Sequence, residues 1–209
     1  MRELLCEYGR RAVELGLVLG TSGNLSVRRD DLVAVTPAGL ALDRLTPERC
    51  PVVDVGGHLV EGDLQPSSET PMHLAVYRTT PARAVVHTHS TFATVVASTM
   101  RELPAIHYNV LQLGGPVRVA PYATYGTAEL AANVQAALEG RTAALMANHG
   151  AVAIGESMEE AFERARLLEW LCEVYVRASG VGTPALLTEA QLAAVAERSR
   201  TPPTFPRRS

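Results

Sequence analysis

The stretch AVVHTH, residues 84–89, predicts a buried β-strand that ends in two histidines. Valine favours strands, and side chains at positions i and i+2 of a strand lie on the same face of the sheet. We therefore expect the imidazoles of His87 and His89 to lie side by side. Neutral imidazole is a common zinc ligand, and catalytic zinc sites use three protein ligands with one position open. The pair alone is equally consistent with two histidines that bind backbone groups at a strand edge.

Helical and strand patterns alternate on both sides of this segment, as judged by apolar spacing and helix-capping residues. The predicted helices cover residues 2–18, 69–79, 91–100, 127–140, 157–178 and 188–198, with a short helical turn at 46–48. The predicted strands cover residues 25–28, 32–36, 52–55, 58–61, 84–89, 105–111, 117–121, 143–147 and 151–154. This order predicts an α/β fold with one mixed sheet and helices on its faces. We expect a single domain over residues 1–209, of which about 200–209 form a flexible C-terminal tail.

All 19 basic residues of the 209-residue chain are arginines, and lysine is absent. The chain therefore cannot form a side-chain lysine Schiff base with a carbonyl substrate or with pyridoxal phosphate. A Walker-type phosphate loop is excluded as well, because it needs its lysine. Any bound phosphate must contact backbone N–H groups, hydroxyls, amides or arginine.

Charge and cysteine usage predict the cellular setting. The net charge of −3 argues against a nucleic-acid partner, since such proteins usually have a basic excess. The three cysteines are far apart and form no CxxC pair, which favours a reducing compartment. The charged N-terminal residues do not match a signal peptide, and no apolar run has the length of a membrane span. We therefore expect a soluble cytoplasmic protein without a membrane partner.

A third histidine strengthens the metal hypothesis. His149 lies in an Asn-His-Gly turn, residues 148–150, between two apolar segments. A third ligand at such a strand junction would converge with the histidine pair. The alternative is that His149 only fills the turn, although turns favour asparagine and glycine over histidine.

The other three histidines are weaker candidates for metal ligands. His58 follows a Gly-Gly turn and is expected to be exposed, and His107 would face away if its segment is a strand. His73 lies four residues after Glu69 on a predicted helix. The two are expected to form a structural helix pair, with a second metal pair as the alternative.

Three loops have the composition of a phosphate site without a cation. Residues 67–69, Ser-Ser-Glu, begin a helix with two hydroxyls and free backbone N–H groups, which bind anions. Residues 22–24 and 36–39 offer further hydroxyl, amide and N–H donors, although each loop alone is an ordinary turn. The Glu69 carboxylate either complements the helix dipole or acts as a general base. Tyr108 and Tyr125 are candidate proton donors, or else partly buried core aromatics.

Seven segments, taken in order, resemble the class II aldolase/adducin family, and within it the aldolases of L-fuculose 1-phosphate. They are GTSGNLS (20–26), TPAG (36–39), PSSE (66–69), VVHTHS (85–90), PAIHY (104–108), PYATYGT (121–127) and NHG (148–150). One such motif is a weak signal, whereas seven ordered motifs are specific. The resemblance implies a three-layer α/β/α sandwich with a mixed, mostly antiparallel sheet. It also implies a C4 homotetramer with active sites between subunits.

The same resemblance implies a metal centre. One zinc ion per subunit, or another divalent metal, would be held by His87, His89 and His149. Glu69 matches an acid/base residue that occupies the fourth zinc position or leaves it as substrate binds.

Substrate-binding residues are implied by the resemblance as well. The positions that match a phosphate site are Asn24, Thr36, Gly39, Ser67 and Ser68. Tyr108 matches a tyrosine that the neighbouring subunit supplies as a proton donor on the aldehyde side. Tyr125 stands near the aldehyde, where the fuculose-phosphate aldolases have phenylalanine.

The implied reaction is the reversible cleavage of a ketose 1-phosphate, such as L-fuculose 1-phosphate, to dihydroxyacetone phosphate and lactaldehyde. Alternatives of the same fold are a pentulose-5-phosphate 4-epimerase, a methylthioribulose-1-phosphate dehydratase, and aldolases of deoxyribulose or methylthioribulose phosphates. The epimerase is disfavoured because it uses an additional acid after the histidine pair, and the last aspartate here is Asp63. A non-catalytic adducin-like interaction module is disfavoured because it would be expected to lose zinc ligands.

Overall fold

The structure is a computed structural model that describes residues 1–200. Its helices are α1 Arg2–Glu14, α2 Thr70–Thr79, α3 Thr91–Thr99, α4 Ala128–Leu138, α5 Met158–Val181 and α6 Glu189–Arg200. Its strands are β1 Asn24–Arg29, β2 Leu32–Val35, β3 Val52–Asp54, β4 Leu59–Glu61, β5 Ala84–Thr88, β6 Glu102–Leu103, β7 Val117–Ala120, β8 Ala143–Met146 and β9 Gly150–Gly155. Short 3-10 helices cover Leu42–Arg44, Pro47–Arg49 and Tyr108–Leu113. Among these described helices, none combines the length and the apolar character needed to cross a membrane.

The strands form one sheet in the order β4-β3-β2-β1-β5-β9-β8-β7-β6. Neighbouring strands are antiparallel except for β7 and β8, which are parallel. The strand that carries the histidine pair, β5, lies at the centre between β1 and β9. The sheet is therefore mixed and mostly antiparallel, as predicted.

Helices cover both faces of the sheet. The helices α1, α3 and α5 pack on one face and α2 and α4 on the other, and each face has its own apolar core. The central strand contributes to both cores, because Val86 faces the first and Val85 the second. This alternation is expected for a strand that is buried on both sides. The predicted three-layer α/β/α sandwich is confirmed.

The predicted strand at residues 105–111 is wrong, because the third 3-10 helix begins at Tyr108 and residues 105–107 lie in no strand. Val110 and Leu113 are both fully buried and lie three residues apart, a spacing that fits a helical turn rather than strand alternation. The His107 ring accepts a hydrogen bond from the Asn109 backbone N–H at 3.1 Å, which caps the start of this helix. His107 is therefore a capping residue and does not lie on a strand.

Other boundaries differ by a few residues. The first helix ends at Glu14 rather than at residue 18, since the Leu17 N–H turns back to the Ala12 carbonyl at 2.9 Å. The short strand β6 has no counterpart among the predicted strands. The predicted tail lies outside the described residues, except that Arg200 ends α6.

Candidate metal centre and active site

Four side chains from distant parts of the chain converge at one end of the central strands. Glu69, His87, His89 and His149 each place one ligand atom within 4.8 Å of the others. His87 Nε2 lies 3.0 Å from His89 Nε2 and 3.0 Å from Glu69 Oε2. His149 Nε2 lies 3.4 Å from Glu69 Oε1. Three imidazoles and a carboxylate at this spacing could hold a divalent metal ion.

The sheet and two of its connections bring these side chains together. His87 lies in β5, which pairs with β1 on one side and β9 on the other. His89 directly follows that strand, so the predicted side-by-side arrangement of the pair is confirmed. His149 lies in the turn between β8 and β9, and Glu69 directly precedes the first residue of α2.

The turn that carries His149 lies unusually close to the central strand. A Cβ atom at Gly150 would be 2.2 Å from the Thr88 carbonyl oxygen, so only glycine permits this approach. The preceding residue, Asn148, has the left-handed backbone angle φ of 55°, which asparagine tolerates better than most residues. Glycine and asparagine therefore let the turn place His149 against the histidine pair.

A backbone hydrogen bond orients the His87 ring. Its Nδ1 lies 2.9 Å from the Ala151 carbonyl oxygen, which can only accept, so Nδ1 carries a hydrogen and donates it. In the neutral ring the lone pair is then on Nε2, the atom that faces His89 and Glu69. Metal-binding histidines are commonly held by such a bond on their other nitrogen.

Burial and repulsion keep two of the histidines neutral. Burial, with the charge of His87, lowers the pKa values of His89 and His149 to about 4. Burial also disfavours the charged forms of His87 and Glu69, but the attraction between the two opposite charges outweighs this effect. The pKa of His87 is raised, and that of Glu69 is lowered. The cluster thus stabilises a positive charge, the proton on His87, beside the ionised Glu69 carboxylate. A divalent cation bound by neutral imidazoles could replace that proton.

One oxygen of the buried carboxylate lacks a donor. Glu69 Oε1 accepts no hydrogen bond within the described residues, and its ion-pair partner, His149 Nε2, is 3.4 Å away. Leaving a buried polar atom unsatisfied costs about 1–3 kcal/mol, and more for a charged group. A cation at this point would remove that cost. The donor set therefore fits a divalent ion such as zinc, which accepts imidazole nitrogen and carboxylate oxygen as ligands in a tetrahedral arrangement.

Three of the cluster residues, Glu69, His89 and His149, line a cleft of about 530 Å³. The rest of its lining comes from residues 21–24, 37–39, 67–68, 122–123, 125 and 148. None of these lining residues is an arginine. A phosphate in this cleft would meet hydroxyls, amides and backbone N–H groups, which is the kind of site predicted from the three loops.

The cleft brings together most of the predicted substrate residues. Those that line it are Asn24, Gly39, Ser67, Ser68 and Tyr125. Thr36 does not line it: the residue is 1% exposed, and its hydroxyl accepts the Leu25 N–H at 3.2 Å. Tyr108 does not line it either, because it lies at the start of the third 3-10 helix with 49% of its surface exposed.

Four further residues line the cleft although the sequence analysis assigns them no role: Thr21, Tyr122, Ala123 and Asn148. Tyr122 belongs to the segment that contains Tyr125, and Asn148 precedes His149. Their position within the quoted motifs is the only signal that could have identified them.

The remaining histidines lie outside the metal cluster. His73 is fully buried, and its Nε2 lies 2.5 Å from Asn24 Oδ1, so it forms no second metal pair with Glu69. His58 is exposed, as predicted, and its Nδ1 lies 3.0 Å from an Asp54 carboxylate oxygen. His107 packs edge-on against Trp170.

A second, larger cleft of about 890 Å³ lies at the opposite ends of β5, β8 and β9. Its lining includes Thr80, Arg141 and Arg164 but no histidine or cysteine. The metal-ligand cluster is absent from this cleft, so we place the chemistry in the smaller one.

Comparisons with known proteins bear on the family and the fold. The model of the family described as "Class II Aldolase and Adducin N-terminal domain" matches residues 3–176. The chain is 39% identical to the 5-deoxy-D-ribulose 1-phosphate aldolase of Bacillus thuringiensis serovar kurstaki, over 94% of both chains. It is 40% identical to the 5-methylthioribulose-1-phosphate/5-deoxyribulose-1-phosphate aldolase of Rhodospirillum rubrum, over 96% of this chain and 91% of that one. A solved L-fuculose 1-phosphate aldolase superposes with a TM-score of 0.91, at 40% identity and 95% coverage of both chains.

Proposed function

The chain belongs to the class II aldolase and adducin family as a carbon–carbon lyase, and we propose that it reversibly cleaves a ketose 1-phosphate to dihydroxyacetone phosphate and a short aldehyde. The observation that carries this proposal is the cluster of three imidazoles and one carboxylate within 4.8 Å, beside a cleft rich in hydroxyl and amide groups. We assign the metal to zinc, held by His87, His89 and His149. When bound, it supplies Lewis-acid stabilisation of the negative charge that develops on the substrate oxygens.

The carboxylate and a tyrosine move the two protons of the reaction in this proposal. In the direction of carbon–carbon bond formation, the ionised Glu69 takes the proton from C3 of dihydroxyacetone phosphate. Tyr108 donates a proton to the aldehyde oxygen, which becomes the C4 hydroxyl. Cleavage is the reverse, so Glu69 returns the proton to C3 after the C3–C4 bond breaks. Support for the role of Glu69 is its burial next to the three imidazoles.

The substrate phosphate is assigned to the uncharged loops of the cleft. The proposed phosphate residues are Asn24, Gly39, Ser67 and Ser68, and Tyr125 contacts the aldehyde part. Thr36 is left out of this set, because it is buried and does not line the cleft. One acceptor site of the Ser67 hydroxyl is already used, because the hydroxyl accepts the Glu69 backbone N–H at 3.3 Å. Its hydroxyl hydrogen can still be donated to phosphate. Backbone N–H groups at the start of α2 complement the anion further.

The exposed position of Tyr108 supports an active site that is completed by a neighbouring subunit. Tyr108 lies outside the cleft of its own chain, with half of its surface exposed. A proton donor must come within hydrogen-bond reach of its substrate. We therefore propose a homo-oligomer, a C4 tetramer, in which each Tyr108 serves the cleft of the next subunit.

Replacing Tyr108 by phenylalanine is expected to lower kcat for cleavage by about 100-fold, the lower range for general acid–base groups. The Kd of the sugar phosphate should change little, because the loops that hold the phosphate remain. Stopped-flow or coupled assays give kcat, and calorimetric titration gives the Kd. An equal loss of both would assign Tyr108 a structural role.

Mixed oligomers provide the control for the subunit assignment. Tyr108→Phe subunits co-expressed with Glu69→Gln subunits should regain activity, since some clefts then combine an intact Glu69 with an intact Tyr108. Absence of any recovery in verified hybrids would place Tyr108 in its own cleft or outside the reaction.

The function is tested with a panel of ketose 1-phosphates and pentulose 5-phosphates. The panel includes the 1-phosphates of L-fuculose, 5-deoxyribulose and 5-methylthioribulose, because relatives with these names share about 40% of the sequence. We expect release of dihydroxyacetone phosphate and an aldehyde from at least one ketose 1-phosphate. Epimerisation or dehydration without aldehyde release would refute the proposal.

Two reagents, a chelator and borohydride, distinguish the metal mechanism from an imine mechanism. A chelator should abolish cleavage. Borohydride added with substrate should trap no adduct on a side chain, since the chain contains no lysine. Full activity after chelation, with trapping at the N-terminal amine, would overturn the metal mechanism.

A further inference from the structure

A chain of buried polar side chains extends from Glu69 into the core between α2 and the sheet. Asn24 Nδ2 lies 2.9 Å from Glu69 Oε2, and Asn24 Oδ1 lies 2.5 Å from His73 Nε2. His73 Nδ1 lies 2.6 Å from Ser26 Oγ, which lies 2.7 Å from the Tyr77 hydroxyl. All five residues are buried, with Ser26 and His73 fully so.

The periodicities of a helix and a strand produce this chain. Residues 69, 73 and 77 follow one another at intervals of four, from the N-cap of α2 nearly to its end, so they share one face. Asn24 and Ser26 are two apart on β1, so they point to the same side of the sheet. Residues from the helix and from the strand therefore alternate along this chain of hydrogen bonds.

The carboxylate determines the direction of every hydrogen bond in the chain. An ionised carboxylate only accepts, so Asn24 must present its amide hydrogens to Glu69 and its oxygen to His73. His73 must then carry its hydrogen on Nε2 and accept the Ser26 hydroxyl at Nδ1. Burial, aided by His87, lowers the pKa of His73 to about 3, so the ring is neutral and has this one hydrogen. Ser26 in turn accepts the Tyr77 hydroxyl, whose pKa is raised by burial.

The far end of this chain of hydrogen bonds, at Tyr77, is closed to water. Tyr77 is 2% exposed and packs in the apolar core that α2 and α4 share. A proton that entered at Glu69 would find no exit at this end. The chain is therefore suited to holding Glu69 in place rather than to conducting protons.

We propose that His73, with Ser26 and Tyr77 behind it, is the positioning residue for Glu69 and acts through Asn24. Aligned donors hold Glu69 Oε2, which leaves Oε1 as the oxygen without a hydrogen bond and hence the atom available for the proton at C3. An amide nitrogen carries two hydrogens, so Asn24 can still contact the substrate phosphate as well. This inference rests on the proposed acid/base role of Glu69.

A matched pair of variants at His73 tests the proposal. His73→Leu removes both ring nitrogens, and we expect kcat to fall about 10- to 100-fold, the range seen when groups that orient metal-site residues are lost. His73→Gln keeps an N–H donor toward Asn24 and should recover most of that loss. In both variants metal content and KM for the sugar phosphate should stay near wild type. Equal losses in both, accompanied by loss of metal, would show a purely structural role.

Variants farther along the chain keep the test decisive if His73→Leu does not fold. Tyr77→Phe and Ser26→Ala should lower kcat by smaller factors than His73→Leu, with Ser26→Ala the more severe because it breaks the chain nearer to Glu69. The control is Tyr8→Phe, which removes the hydroxyl of another buried tyrosine, in the core on the other face of the sheet, and should leave kcat unchanged. Unchanged kcat in both chain variants would refute the proposal.

Nitrogen-15 NMR of histidine-labelled protein provides a measurement that does not depend on turnover. We expect His73 to carry its hydrogen on Nε2 alone in the wild type, and Ser26→Ala to allow a mixture of tautomers. A wild-type ring protonated on Nδ1 would contradict the chain even if no substrate has been found. Active wild type with full kcat in the chain variants would refute only the positioning role and leave the proposed function intact.

Discussion

The variant Glu69→Gln is expected to retain its fold and its metal but to lose cleavage activity by about 10²- to 10⁴-fold, the usual contribution of a general acid–base group. Glutamine has nearly the same size as glutamate, and it can still accept the Asn24 amide that now lies 2.9 Å from Oε2. It cannot hold a proton for C3. The three imidazoles remain as metal ligands.

Measured kcat and metal content decide this prediction. Glu61→Gln is the matched control, because that side chain is 65% exposed and pairs with Arg2 alone among residues 1–200, so its loss should leave kcat unchanged. Wild-type turnover in Glu69→Gln would refute its acid/base role. Loss of metal together with turnover would instead make Glu69 mainly a ligand.

A second large effect is expected for His149→Ala. This variant should lose its metal, and its activity should fall by at least about 100-fold, which is more than replacing a residue outside the ligand set usually causes. Removing this imidazole leaves two nitrogen ligands and the carboxylate. A zinc site with three protein ligands tolerates such a loss poorly. Elemental analysis after dialysis and kcat measured without added zinc test both parts.

The same substitution at a distant histidine is the control. His58→Ala removes an imidazole whose side chain is 84% exposed, next to Asp54 at the edge of the sheet, and should leave metal content unchanged. Unaltered metal in His149→Ala would remove His149 from the ligand set. Excess zinc should restore part of the activity if the loss is one of affinity rather than of folding.

Local patterns were sufficient to predict one mixed sheet with helices on its faces and the convergence of the histidines, whereas the three-layer sandwich was implied by the family resemblance. The valine-rich stretch before His87 predicted a strand, which the structure places at the centre of the sheet, and the two-residue spacing to His89 predicted neighbouring rings. The apolar segments around His149 predicted a turn at a strand junction. Each of these signals depends on residues close together in the sequence, which is where periodicity is informative.

Features that depend on long-range packing were not predicted. The link from Asn24 to His73 joins residues 49 positions apart, and nothing in either segment indicates it. The 3-10 helix at residues 108–113 was mistaken for a strand because short apolar segments fit both patterns. The role that we propose for Tyr108 in the cleft of a neighbouring subunit depends on quaternary structure, which no periodicity within one chain can indicate.

The hydrogen bond from His87 to Ala151 joins residues 64 positions apart across the β5–β9 pair. Such distant pairing closes a long loop, so it forms late and slowly as the chain folds. All four metal-binding side chains meet only once that pairing exists, so we do not expect the ion to nucleate folding. A ligand that binds only the native state shifts the equilibrium toward it. Interactions absent from the transition state slow unfolding without speeding folding. The metal would therefore prolong the lifetime of the folded enzyme more than it would hasten its formation.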